Sequence, residues 1–235
     1  MQDWILLFII FLIGALVTIV FFLINQQKLR KISQLKTLSA LGFVRAERDM
    51  ELVTGIVRGL SRDPDSASIR IENLFEKAFP DGKLYLLDVV DRSDSEKMPF
   101  GKLAVLLVSR EMNLPRFSIY PKMALQGRLG DLTNTLLETV YSKIGNVIKE
   151  WNDEAFEERY TVISDQEDEV RQVLSTRVIE RLNGVSGLAM ECDQNHILIN
   201  QFDMTGKANK EKAPAFLTPM AFKIHGWFLE NSEEN

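Results

Sequence analysis

The chain holds two histidines and one cysteine: His196, His225 and Cys192. Imidazole is the commonest general base, and a thiol is the strongest nucleophile among ordinary side chains. Cys192 and His196 flank a predicted turn at Asp193-Gln194-Asn195. A nucleophile–base pair across that hairpin is geometrically open, but no third group suggests itself to orient the imidazole. His225 falls in the last predicted helix, beside its apolar face. No cysteine or carboxylate spacing around either histidine makes a zinc site. All three residues are therefore read as structural, with Cys192 as a small buried thiol in the apolar stretch LAMEC.

Carboxylates are the second store of chemistry. Asp153, Glu154, Glu157 and Glu158 form one cluster, and Asp165, Glu167, Asp168 and Glu169 form another. Such groups serve metal or glycosidase sites. They serve equally as solvated residues at a helix start, where each contributes about 0.3–1 kcal/mol against the helix dipole. The second reading fits both clusters better. Walker A, Rossmann glycine, G-x-S-x-G and EF-hand patterns do not occur. No catalytic, cofactor-binding or metal-ligating residue is assigned, and no cofactor is expected.

The elements that would position these groups follow from periodicity. Asp49 is placed to cap a helix running to Leu60, with Leu52, Val53, Ile56, Val57 and Leu60 on one face. Residues 69–76 alternate as a half-buried strand, with Ile69, Ile71, Asn73 and Phe75 on one side. Pro80-Asp81-Gly82 is a turn in which proline presets φ and glycine accepts φ > 0. Residues 83–91 and 102–110 are apolar on both faces, which predicts adjacent strands at the sheet centre. A shorter strand spans 116–121. Apolar positions from Leu129 to Trp151 recur at helical spacing, but Gly145-Asn146 leaves 143–151 open between helix and strand.

Residues 156–164 alternate as a strand. Ser164 and Glu167 then fit a capping box opening one helix through Leu182, which Asn183-Gly184 ends. Strands at 188–192 and 196–202 precede a final helix marked by Leu217, Met220, Ala221, Ile224, Trp227 and Phe228. The order predicts an α+β fold with a mostly antiparallel sheet and packed helices.

Ahead of all this lies residues 4–24, WILLFIIFLIGALVTIVFFLI, without a charged side chain. As a helix it would span roughly 32 Å against a hydrocarbon core of about 30 Å. The residues before it, Met1-Gln2-Asp3, lack the basic start of a signal peptide, and Asn25-Gln26-Gln27 follows in place of a small-residue cleavage site. Lys28, Arg30, Lys31 and Lys36 come next, which predicts a cytosolic C-terminal side and an N-terminus outside. Gly14 and Thr18 form one small-xxx-small pair within the run. The expected organisation is an anchor and basic juxtamembrane helix over 1–36 and a cytosolic α+β domain over 37–235. Gly42 is placed as a helix C-cap. A net charge of −5 without a segregated basic patch argues against nucleic acid as a partner. The partners expected are the lipid bilayer and either another protein or a second copy of the chain.

Two stretches carry a resemblance. Leu114 to Lys122 gives LPxFxIxP, and Phe156 to Arg171 gives FExxYxV…D…VR. Both resemble uncharacterised bacterial membrane-anchored proteins with a hydrophobic N-terminal segment and a soluble domain of unknown function. The resemblance implies bacterial origin and neither an activity nor functional residues. The expected role is a scaffold, adaptor or sensor. The alternatives are a membrane-tethered enzyme working through carboxylates and an accessory subunit of an envelope or transport complex.

Overall fold

A computed structural model describes residues 35–62, 69–91, 103–122, 139, 141–185, 187–201 and 213–233. The chain divides into two compact units, Met1–Gly42 and Phe43–Asn235. The apolar run 4–24 and the basic residues Lys28, Arg30 and Lys31 lie outside the described residues. Among the described residues no helix is long and apolar enough to cross a membrane. In the first unit, residues 35–40 are helical and Gly42, at φ 80°, ends the helix by donating to Ser39 O.

The second unit is α+β. Its strands are β1 (Val44–Arg45), β2 (Ile69–Phe79), β3 (Gly82–Asp91), β4 (Leu103–Ser109), β5 (Leu114–Pro121), β6 (Val147–Ile148), β7 (Tyr160–Ser164), β8 (Leu188–Gln194) and β9 (His196–Gln201). They form one nine-stranded sheet in the order β1-β2-β3-β4-β9-β8-β5-β7-β6. All eight pairings are antiparallel. Its helices are α1 (Met50–Leu60), α2 (Glu154–Arg159), α3 (Glu167–Val173), α4 (Thr176–Asn183) and α5 (Ala213–Glu233).

Cross-strand partners share a face of a sheet, so the register assigns every side chain. One face carries Leu74, Tyr85, Leu87, Ala104, Leu106 and Leu198, and α1 lays Val53, Val57 and Leu60 on them. Further along the same face lie Tyr120, Ile163 and Ala189, packed with Tyr141. The opposite face carries Leu84, Leu86, Val105, Leu107, Phe117 and Cys192. Helix α5 packs there through Leu217, Ala221, Ile224 and Phe228, with Phe117 and Phe228 edge to face at 6.2 Å. Coverage on both faces is why β4 is apolar from Leu103 to Val108.

Strands β3 and β4 are adjacent as expected, but the middle of the nine is β9. Several local expectations are corrected. A bulge between Ile71 and Asn73 adds one residue to β2, so the core side passes from Ile69 to Leu74 and away from Phe75. Gly82 has no left-handed backbone; it is required because a Cβ there would stand 1.9 Å from Val108 O. Residues 154–159 are helix α2, which takes 156–159 from the expected strand, since the Asp153 carboxylate accepts from Phe156 N at 2.9 Å and starts a turn.

The capping box at Ser164 does not form. That serine stays in β7, its hydroxyl donating to Arg116 O and accepting from Gln166 N. One expected helix is two, broken at Leu174-Ser175. Residues 143–151 resolve as a turn, the short β6 and an irregular loop. Asp49 precedes α1 without capping it, and Leu52, expected on the buried face, is 62% exposed.

Candidate functional site

The register settles the first chemistry. Cys192 pairs with Ile197 and Phe117, on the α5 face, while His196 pairs with Asp193 and Val108, on the α1 face. The sheet lies between thiol and imidazole, so they form no dyad. Cys192 is buried, and burial raises its thiol pKa, with Glu191 and Asp193 adding to the effect. Half-buried His196 has its pKa lowered, chiefly by burial.

His225 is more engaged than the sequence suggests. It is buried, its Nε2 lies 2.9 Å from Ser109 Oγ, and its ring meets Phe79 edge to face at 5.5 Å. Ser109 Oγ also accepts from Glu111 N. The hydroxyl keeps its proton and a second lone pair, so either neutral tautomer of the imidazole completes the contact. Burial lowers the His225 pKa, with Asp81 and Glu111 pulling the other way. The contact fastens α5 to the end of β4.

The carboxylate clusters are spent on local structure. Asp153 caps α2 and also accepts from Asn183 Nδ2. Glu157 accepts from Trp151 N at 2.5 Å, and Glu167 pairs with Arg171 at 2.7 Å. Arg171 donates to the carbonyls of Lys149 and Glu150 and stacks over Trp151 at 5.0 Å. Glu150 and Asn152, on either side of Trp151, have φ of 63° and 56°. Glu157 and Arg171, both from the FExxYxV…VR motif, thus hold one strained loop at the sheet edge. Glu154, Glu158, Asp168 and Glu169 are exposed, and Asp165 meets Arg62 at 3.4 Å.

Two polar clusters were not anticipated. At the sheet rim, Lys83 Nζ lies 2.9 Å from Asp49 and 2.7 Å from Glu76, and Tyr85 OH donates to Asp49 at 2.6 Å. Lys83, Asp49 and Glu76 border an open depression of about 670 Å³ that Arg45, Glu47 and Arg48 complete. The Tyr85 hydrogen bond and then Lys83 hold the Asp49 carboxyl below its ordinary range. Glu76 and then Asp49 raise the Lys83 pKa, and burial followed by Asp49 pushes Tyr85 up to about 12.

The second cluster is inside. Glu191 is 2% exposed and accepts a short hydrogen bond from Tyr120 OH, which is equally buried. Ser118 is the cross-strand partner of Glu191, Thr161 that of Tyr120, and the Tyr141 ring stacks on Tyr120 at 5.0 Å. Burial, then the charge of Glu191, raises the Tyr120 pKa well above its usual value, so the phenol keeps its proton and donates. A buried carboxylate is the costliest side chain in the sheet. This pair is the best candidate for chemistry that the fold offers. Its sequence signal is Glu191 within LAMEC, an acid in a stretch otherwise apolar on both faces.

Comparison with known proteins finds no matching family model, curated protein or solved structure. Among the described residues no group of three or more His, Cys, Asp or Glu is arranged to hold a metal ion.

Proposed function

We propose that the chain is a single-pass membrane protein that presents its α+β domain in the cytosol as an interaction module, a scaffold, adaptor or sensor. The observation that carries this reading is the uncharged run 4–24 followed at once by Lys28, Arg30, Lys31 and Lys36. The domain supports it by burying apolar side chains on both sheet faces, a core that owes nothing to lipid. Carbonate washing of membranes from cells producing the full chain should leave it in the pellet. Alkaline phosphatase fused after Asn235 should be inactive, and a fluorescent protein at the same place should glow. An active phosphatase fusion overturns the orientation, and release by carbonate overturns the anchor.

A second reading, a membrane-tethered enzyme using carboxylates, draws on the buried Tyr120–Glu191 pair. It requires that any turnover found in a substrate screen be abolished by Glu191→Gln in a variant that still folds. Turnover that survives the substitution removes this reading.

A further inference from the structure

Helix α1 buries one face and leaves the other bare. Its exposed residues are Glu51, Leu52, Gly55, Arg58 and Gly59, spaced as a single helical stripe. Leu52 is the most exposed large apolar side chain among the described residues, at 62%. A Cβ added at Gly55 or Gly59 would meet no atom within 4 Å, so no neighbour among the described residues explains two glycines in this helix. Glu51 has no ion-pair partner among the described residues. Arg58 donates to Ile69 O through Nε and Nη2, which leaves Nη1 for another acceptor.

This stripe is complementary to itself. When two copies of α1 run antiparallel about a two-fold axis at Gly55, residue 52 faces residue 58 and residue 51 faces residue 59. Leu52 of each copy then enters the notch left by Gly55 and Gly59 of the other. Glu51 meets Arg58, and also Arg116, whose Nη2 sits on Gly59 O at 2.9 Å. Knob and notch, acid and base occur on the same patch, as an isologous contact demands.

The geometry points to a second copy of this chain as the occupant of the outer face of α1, in an antiparallel two-fold pairing centred on Gly55. This rests on the membrane-tethered reading for its strength. One face of an 11-residue helix is smaller than the roughly 1,000 Å² expected of a stable interface. Tethering to a shared surface raises the effective concentration enough for a small contact to close.

The test uses the full chain in intact cells and a short, membrane-permeant bis-maleimide. Cys192 is buried and gives little background. Gly55→Cys should be captured as a covalent dimer at several times the level of Glu180→Cys, an exposed position on α4. Adding Glu51→Arg should reduce that capture several-fold, and combining it with Arg58→Glu should restore it. Thermal melts of each variant separate lost pairing from lost fold. Capture of Gly55→Cys no greater than of Glu180→Cys overturns the proposal, as does capture that Glu51→Arg leaves unchanged in a folded variant. Carbonate washing of the same cells reports the anchor separately, so the two readings fail independently.

Discussion

The face of the sheet toward α1 is built in two ways. Over β2, β3, β4 and β9 it is apolar inside but for Asn200, and its charged groups stand at the rim, where Lys83 pairs with Asp49 and Glu76 within reach of water. Over β8, β5 and β7 the polar groups are inside, with Glu191, Tyr120, Ser118 and Thr161 all buried. The first half draws its stability from area and loses little when a rim charge is removed. The second depends more on its buried hydrogen bonds, that of Tyr120 to Glu191 above all, because a low dielectric strengthens a made hydrogen bond and penalises a missing one.

Six substitutions would break or sharpen that contrast, each measured as a thermal melt of the full chain in detergent. Leu106→Ala on the α1 face and Leu86→Ala on the α5 face should each cost about 2–5 kcal/mol. Each 1 kcal/mol lowers Tm by about 2–4 °C in a domain of this size. Melting within a degree of the parent would show that β3 and β4 are not core strands. Tyr120→Phe should cost about 2–3 kcal/mol, since it removes the phenol hydroxyl from a buried carboxylate. Tyr120→Phe combined with Glu191→Met should recover much of the loss. If the double variant is no better than the single, the cost lies in packing.

His225 gives a smaller effect that depends on pH. Burial holds its folded pKa below the unfolded value of 6.5, so the fold keeps the neutral form. Its stability is fully present above about pH 6.5 and is lost as the unfolded chain takes up protons at lower pH. Half-buried His196 acts in the same direction. The fall in Tm from roughly pH 7.5 to 5.5 should be shallower in His225→Gln than in the parent, and equal slopes would remove His225 from the account. Asp49→Asn should do least, under about 1 kcal/mol, because the rim network is partly solvated. A larger loss would make the rim as demanding as the interior and erase the contrast.

The α+β class, the β3–β4 pairing and the buried line of α5 were legible in the sequence because long apolar patterns dominate their surroundings. Leu52 was misplaced because it adjoins the true stripe of Val53, Ile56, Val57 and Leu60, and periodicity alone does not say where a stripe ends. The bulge at 71–73 was invisible because Ile69, Ile71 and Phe75 satisfy strict alternation, and only pairing with β3 reveals the extra residue. Phe156 to Arg159 was read as strand because a single turn is too short to show a helical period; the Asp153 cap decided it. The apolar run 4–24, from which an anchor is expected, lies outside the described residues. Of the candidate site, Ser109–His225 and Tyr120–Glu191 join residues 116 and 71 positions apart, which no local spacing announces.

The clamped loop around Trp151 also has an optical consequence. That indole is buried, donates to Ile148 O, and has the Arg171 guanidinium stacked on its ring. A positive charge against the ring and an apolar surround shift its emission, so releasing the clamp changes the colour of the light. The two other tryptophans, Trp4 in the apolar run and Trp227 on α5, lie far from it in sequence. Replacing both with phenylalanine leaves a chain whose fluorescence reports the lock at the β6–β7 edge, in a cell or a vesicle, without a dye.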